Sequence, residues 1–353
     1  MHTTIAIEVR AIVERHVEQG EFSGACLVKR GDEPILHDAW GFAHRGFAIP
    51  NTVDTRFDIA SVTKLFTATA ILQLVERGDL ALDTPVMPYL EIAGTRINDA
   101  VTVYHCLTHT SGIGDDADEE AGEEYEALFI DKPNYSLRET KDFLPQFVDK
   151  EPNFAPGEGV RYNNVAWVLL GLMIEQASGL PYRDYVRQHV FERAGMAGAD
   201  FCAMDGVHAH FAEHYKKIEH EGGAVEWRKN IYSYPPIGSP DGGATVTVAD
   251  LDRFMRAVRG GELLGADASR DVLTPRVEAR EIIGGTLWNG FGFEFKVVPG
   301  GEVIRITKDG SNAGVSSLLA YYPATDTTAV LLANQDCNVW ALLREIEPLL
   351  TPA

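Results

Sequence analysis

The stretch IASVTKLF, residues 59–66, sets a serine three residues ahead of a lysine at the head of an apolar run that stops at Gly78. Residues 61–77 are apolar nearly all round (Val62, Leu65, Phe66, Ile71, Leu72, Val75), which predicts a buried helix closed by that glycine. Ser61 and Lys64 then share one face, and a serine in the first turn lies at the positive end of the helix dipole. Burial would desolvate Lys64 and favour a neutral amine that can take a proton. A capping serine followed by a snorkelling lysine is the other reading, and a chain this long holds about one Ser-x-x-Lys by chance.

Working outward, ACLVK and PILHDAWGF around RGDE read as a β-hairpin, and Val9, Ile12, Val13 and Val17 mark an amphipathic N-terminal helix. From about 80 to 275 the pattern is mostly helical, clearest in VAWVLLGLMIEQASG and in TVADLDRFMRAVRGG, the latter opened by a Thr247/Asp250 capping box. Beyond about 287 strands take over in FGFEFKVV, EVIRIT, SSLLAYYP and TAVLLAN, and a last helix closes the chain. The expectation is an α+β fold. Residues 1–80 and 280–353 would form an antiparallel sheet flanked by helices, with 81–279 an inserted, mostly helical domain and a pocket at the seam.

The 353 residues carry a formal charge of -21, with 45% hydrophobic and 24% charged residues. That balance suits a soluble globular protein and repels nucleic acid and anionic membranes, so nucleic-acid binding is excluded. No apolar stretch reaches the ~18 residues of a membrane span. Glu8, Arg10, Glu14 and Arg15 interrupt the N-terminus where an export signal would be apolar, and four scattered cysteines form no CxxC pair. The expected location is therefore cytoplasmic; a trimmed exported protein would look the same.

Two further segments can carry chemistry. PGEGVRYNN, residues 156–164, sets Tyr162 and Asn164 just before an apolar helix. A tyrosine near amines can relay a proton, and an asparagine amide can orient a lysine and bind a carbonyl. A packed loop tyrosine with an N-capping asparagine is the other reading. TKDGSNAGVSS, residues 307–317, runs off a strand, where Lys308 could set a fixed charge over a site and Gly310 would admit close approach of a substrate.

In this order Ser-x-x-Lys, Tyr-x-Asn and Lys-x-Gly resemble the serine β-lactamase and penicillin-binding-protein family, as do LTHTSGI and the paired glycines before TVTVADLDRF. The resemblance runs from about residue 21 to 335 and is nearest to class C β-lactamases, D-alanyl-D-alanine carboxypeptidases and related esterases. It implies a mixed α/β domain plus a helical domain, with Ser61 the acylated nucleophile and Lys64 its base or proton shuttle. Tyr162 would pass the proton to the leaving group. Asn164 would hold Lys64 and the substrate amide, and Lys308 would bind a substrate carboxylate and favour a Tyr162 phenolate. The backbone N–H groups of Ser61 and Ser311 would form the oxyanion hole.

No metal or organic cofactor is needed, and the partner is a small-molecule substrate, an amide (β-lactam or D-amino-acid peptide), which Lys308 slightly favours, or a small carboxylic ester; the sequence leaves oligomeric state open. Asp309 stands where the family carries a hydroxyl residue, which should weaken binding of anionic substrates unless its carboxylate points away or pairs with Lys308. A silent binding or assembly protein on the same fold is the competing reading. The histidines of HCLTH read as structural, and those of HAHFAEH as a solvated segment ahead of a metal site. The acidic run 115–126 reads as a solvated surface. Trp227, Tyr232 and Tyr234 read as either a pocket rim or core packing.

Overall fold

The computed structural model describes residues 2–118 and 121–351. Two distant stretches of chain build one antiparallel sheet of eight strands. In chain order these are β1 (Gly24–Arg30), β2 (Glu33–Trp40), β3 (Val277–Ile282), β4 (Gly285–Asn289), β5 (Glu294–Val297), β6 (Val303–Asn312), β7 (Val315–Tyr322) and β8 (Thr327–Ala333). Their order is β2-β1-β8-β7-β6-β5-β4-β3, so sheet neighbours are also chain neighbours except β1 and β8. That pair runs from Gly24↔Ala333 to Arg30↔Thr327 and joins the two stretches. The RGDE hairpin is β1–β2. Strand structure begins at Val277, earlier than the pattern indicated, because half-exposed β3 and β4 at the sheet edge alternate only weakly.

Among the described residues five helices have twelve or more residues: α1 (His2–Glu18), α2 (Lys64–Glu76), α3 (Val165–Ser178), α4 (Val248–Gly260) and α5 (Val339–Leu350). Strand alternation sorts the core to two faces. Leu318 and its partner Leu331 pack with Val9 and Val13 of α1 and Leu343 and Ile346 of α5. Leu319 and Val330 face the other way, into the larger cluster that holds Phe66 and Ile71 of α2 and Trp167 of α3. Between β2 and β3 the chain also supplies short helical turns and a hairpin, Tyr215–Glu219 with Val225–Lys229.

Every residue of α2 from Lys64 to Leu74 is buried, as its all-round apolar pattern requires, and Gly78 (φ 78°) ends the helix in the left-handed region that glycine tolerates. At the start of α4 the Thr247 hydroxyl accepts the Asp250 N–H while the Asp250 carboxylate accepts the Thr247 N–H, the expected capping box. Among the described residues no helix is long and apolar enough to cross a membrane.

Candidate active site

A single 3-10 turn, Ala60–Thr63, precedes α2, so Ser61 sits in the turn and Lys64 is the first helical residue. Ala60 has φ 42°, a left-handed conformation that costs a residue with a Cβ about 1–2 kcal/mol. Three hydrogen bonds hold it. The Ala60 N–H donates to the Asp58 carboxylate at 2.7 Å, and its carbonyl accepts from the Thr63 hydroxyl at 2.7 Å and from the Gly243 N–H at 3.3 Å. Gly243, the second of the paired glycines, thus supports the serine turn.

Lys64 is completely buried. Its ammonium nitrogen donates to Ser61 Oγ at 3.0 Å, to Asn164 Oδ1 at 2.8 Å and to the Asp241 carbonyl at 2.6 Å. The last two oxygens can only accept, so they orient two N–H bonds and leave the third tetrahedral position aimed at Ser61. Asn164 does not cap α3 with its own side chain. The Asp115 carboxylate takes the Asn164 and Val165 N–H groups, and Asn163 Oδ1 takes that of Ala166, so the Asn164 amide oxygen is directed to Lys64 instead.

The Tyr162 hydroxyl donates to Ser61 Oγ at 2.7 Å. Its ring lies between two cations, with Lys64 Nζ 5.1 Å and Lys308 Nζ 5.0 Å from the centroid, and stacks on His109 at 4.7 Å. Burial, then the charges of Lys308 and Lys64, push the His109 pKa far down, so the imidazole is neutral. Its Nδ1 accepts the Asn163 N–H, which places the proton on Nε2. Lys308 is 2% exposed and donates to Glu294 Oε1 at 2.8 Å. Burial, the largest single influence, would lower its pKa; the charges of Glu294, Tyr162 and Asp309, with the Glu294 hydrogen bond, together outweigh it and hold the ammonium above its ordinary range.

Gly310 lies against the serine turn, where an added Cβ would fall 2.3 Å from the Ile59 carbonyl oxygen and 2.8 Å from Ser61 N. Only glycine lets β6 approach this closely. Ser61, Asn164 and Ser311 line one cavity of about 590 Å³, together with Glu124, Tyr125 and Tyr234. Asp309 is turned away from it. Its strand partner is Leu318, on the α1/α5 face, and its carboxylate accepts the Trp340 Nε1–H of α5 at 3.0 Å. The negative charge expected over the substrate is therefore on the far side of the sheet.

Other expectations are corrected. Asp115 and Asp116, read as solvated, are buried at 7% and 2% exposure, and only the later part of the run reaches the surface; residues 119 and 120 lie outside the described residues. Their acidity follows burial: Asp115 is pushed up to about 6, and Asp116 well above the carboxylate range by burial and by the charges of Asp115 and Asp241. HAHFAEH does not converge on a metal site. His214 is buried and its Nε2 accepts the Asp58 N–H, whereas His210 is exposed. Among the described residues no group of three His, Cys, Asp or Glu side chains could hold a metal. The aromatic trio divides as well: Trp227 stacks beneath Arg45, Tyr232 is solvent-exposed, and Tyr234 is buried in the cavity wall. Glu294, Asp58 and Asp115 were missed, because each bonds a partner far off in sequence or a backbone N–H, and neither leaves a spacing signal.

With this geometry in place, comparison with known proteins identifies the lineage. The Beta-lactamase family model matches residues 9–342. The chain belongs to the beta-lactamase family. It is 32% identical over 322 residues to esterase EstB of Burkholderia gladioli, covering 82% of this chain and 79% of that protein. It is 26% identical over 331 residues to the putative penicillin-binding protein PbpX of Bacillus subtilis (strain 168), covering 92% and 74%. The crystal structure of a penicillin binding protein from Bacillus halodurans superimposes with a TM-score of 0.89 at 38% identity, over 97% of this chain and 99% of that one. The fold is accordingly the mixed α/β architecture expected, in a family that includes hydrolases.

Proposed function

We propose that this protein is a serine hydrolase that moves an acyl group from a small ester or amide onto Ser61 and then to water. The observation that carries the reading is Ser61 Oγ held between the Tyr162 hydroxyl at 2.7 Å and Lys64 Nζ at 3.0 Å. With the Lys64–Tyr162 pair one proton short, as a neutral amine or a phenolate, Ser61 Oγ attacks the acyl carbon while its proton passes into that pair. The carbonyl electrons collapse back, the bond to the leaving alcohol or amine breaks, and the leaving group takes that proton. Water then attacks acyl-Ser61, gives its proton to the same pair, and the released acid restores the serine. The Ser61 and Ser311 N–H groups would hold the oxyanion, each worth ~10²–10³ in rate. Asn164 would orient Lys64 and meet the substrate amide or ester.

The substrate reading shifts relative to the sequence expectation. Lys308 favoured a carboxylate-bearing amide, but its ammonium is already bonded to Glu294, so its capacity to draw a second carboxylate is reduced. This favours acyl donors without a carboxylate, esters included. A silent scaffold would have no use for a buried amine aimed at a half-buried serine hydroxyl.

Intact-protein mass spectrometry, quenched seconds after mixing with p-nitrophenyl acetate or a penicillin, tests the assignment. A gain of one acyl mass in the wild type and none in Ser61→Ala is expected. Undiminished turnover by Ser61→Ala would overturn it.

A further inference from the structure

We propose that Asp58 is a positioning residue for the Ser61 nucleophile, acting through Ala60 on one side and through Tyr234 and Asn230 on the other. The inference rests on the reading of Ser61 as the acylated residue. The Asp58 carboxylate is 5% exposed and accepts the Ala60 N–H at 2.7 Å, and the Tyr234 hydroxyl acts on it electrostatically. The Tyr234 oxygen accepts from Asn230 Nδ2 at 2.8 Å, and the same amide donates to the Ala313 carbonyl at 2.7 Å. The Tyr234 ring packs with Ala60 and Val315 and lines the cavity. Asp58 through the Ala60 N–H, Tyr234 through its packing on Ala60 and Val315, and Asn230 through the Ala313 carbonyl therefore brace the 60–61 turn and the turn that follows β6, beside the two proposed oxyanion donors.

The choice of aspartate is what separates this from ordinary packing. A neutral asparagine could also accept the Ala60 N–H, through a weaker bond and without a charge to bury. Instead burial pushes the Asp58 carboxyl up to about 6, despite the Ala60 hydrogen bond and the nearby Tyr234 hydroxyl, which favour its ionised form. Among the described residues no neighbouring cation compensates. Among the described residues the groups facing Asp58 are Tyr234, whose pKa burial and the Asp58 charge drive far up, and His214, which burial lowers to about 3 against the opposing charge of Glu213. Both are neutral at pH 7. Burying this carboxylate is unfavourable for folding, and the ionised form makes the stronger bond to Ala60 and so holds the left-handed turn that aims Ser61.

The test is Asp58→Asn, assayed with p-nitrophenyl acetate from pH 4.5 to 8.5. The expected result is a kcat reduced at least tenfold with KM within about threefold. The acid limb near pH 6 should be lost from the kcat/KM profile, and Tm at pH 8 should be equal or higher. Asp115 titrates in the same range, so Asp115→Asn is run beside it. A limb that survives in Asp58→Asn and vanishes in Asp115→Asn overturns the proposal, as does an Asp58→Asn kcat equal to wild type. Should Asp58→Asn fail to fold, Tyr234→Phe decides. Loss of the hydroxyl that stabilises the carboxylate should move the limb to higher pH, and an unmoved limb overturns the proposal. Absence of acyl-Ser61 in the wild type would instead remove the reading on which all of this stands.

Discussion

Two buried lysines flank the Tyr162 ring at nearly equal distance, and the protein holds them in opposite ways. Lys308 meets a carboxylate, Glu294, at 2.8 Å. Lys64 meets three uncharged oxygens, those of Ser61, Asn164 and the Asp241 carbonyl. An ammonium paired with a carboxylate in low dielectric is fixed as a charge. Its pKa is raised, so the stability the pair contributes is complete below the ordinary lysine pKa and is lost only as pH rises through the still higher folded value; across pH 5–9 it is constant. Lys64 has oriented acceptors and no carboxylate among its hydrogen-bond partners, which leaves it able to exchange a proton with Ser61. In the proposed reaction Lys308 supplies field and Lys64 moves protons.

The comparison breaks most visibly on activity. Lys64→Met should lower kcat/KM by ~10³ or more, since it removes both the proton acceptor and the donor to Ser61, while urea unfolding stays near wild type. Tyr162→Phe should cost ~10²–10³ in kcat on the same assay. A Lys64→Met rate within tenfold of wild type would assign the proton transfer to Tyr162 alone. A Tyr162→Phe rate within a few-fold would do the reverse.

Stability separates the two lysines in the opposite direction. Glu294→Gln leaves Lys308 buried without its counter-charge and should cost ~3–5 kcal/mol in urea unfolding. Adding Lys308→Met should recover most of that. If Glu294→Gln is as stable as wild type, the Lys308 charge is solvated or shared elsewhere, and the contrast with Lys64 fails.

The sequence was most legible where chemistry follows local spacing. Ser61 and Lys64 are three apart on one turn, and the Thr247/Asp250 capping box is three apart on another, so periodicity found both. The eight-stranded sheet was legible in its two halves through alternation and turn residues, but weakly at β3 and β4, whose edge position leaves few alternate residues buried. The buried acids were not legible. Asp115 and Asp116 open a run of carboxylates whose composition says solvent, and they are inside because Asp115 caps α3 through two backbone N–H groups. Glu294 opens β5 across from Thr307, and strand alternation alone would set Lys308 on the other face, so only the folded geometry reveals the pair.

The smallest expected effect is the most discriminating for the face assignment of β6. Successive strand residues point to opposite sides, so Lys308 faces Tyr162 while Asp309 faces α5 and takes the Trp340 N–H at 3.0 Å. Asp309→Thr should therefore cost about 1 kcal/mol, the loss of one half-buried hydrogen bond to a charged acceptor, read by urea unfolding. Relative kcat/KM for a neutral acetyl ester and an anionic succinyl ester should stay within about twofold of wild type. Asp309 does act on Lys308 through its field, and that field raises the Lys308 pKa, but Glu294 acts more strongly and remains in place. A tenfold gain for the anionic ester would mean that the Asp309 charge, not the Glu294 pair, governs what approaches Lys308, and the two faces of β6 would then be electrostatically one site.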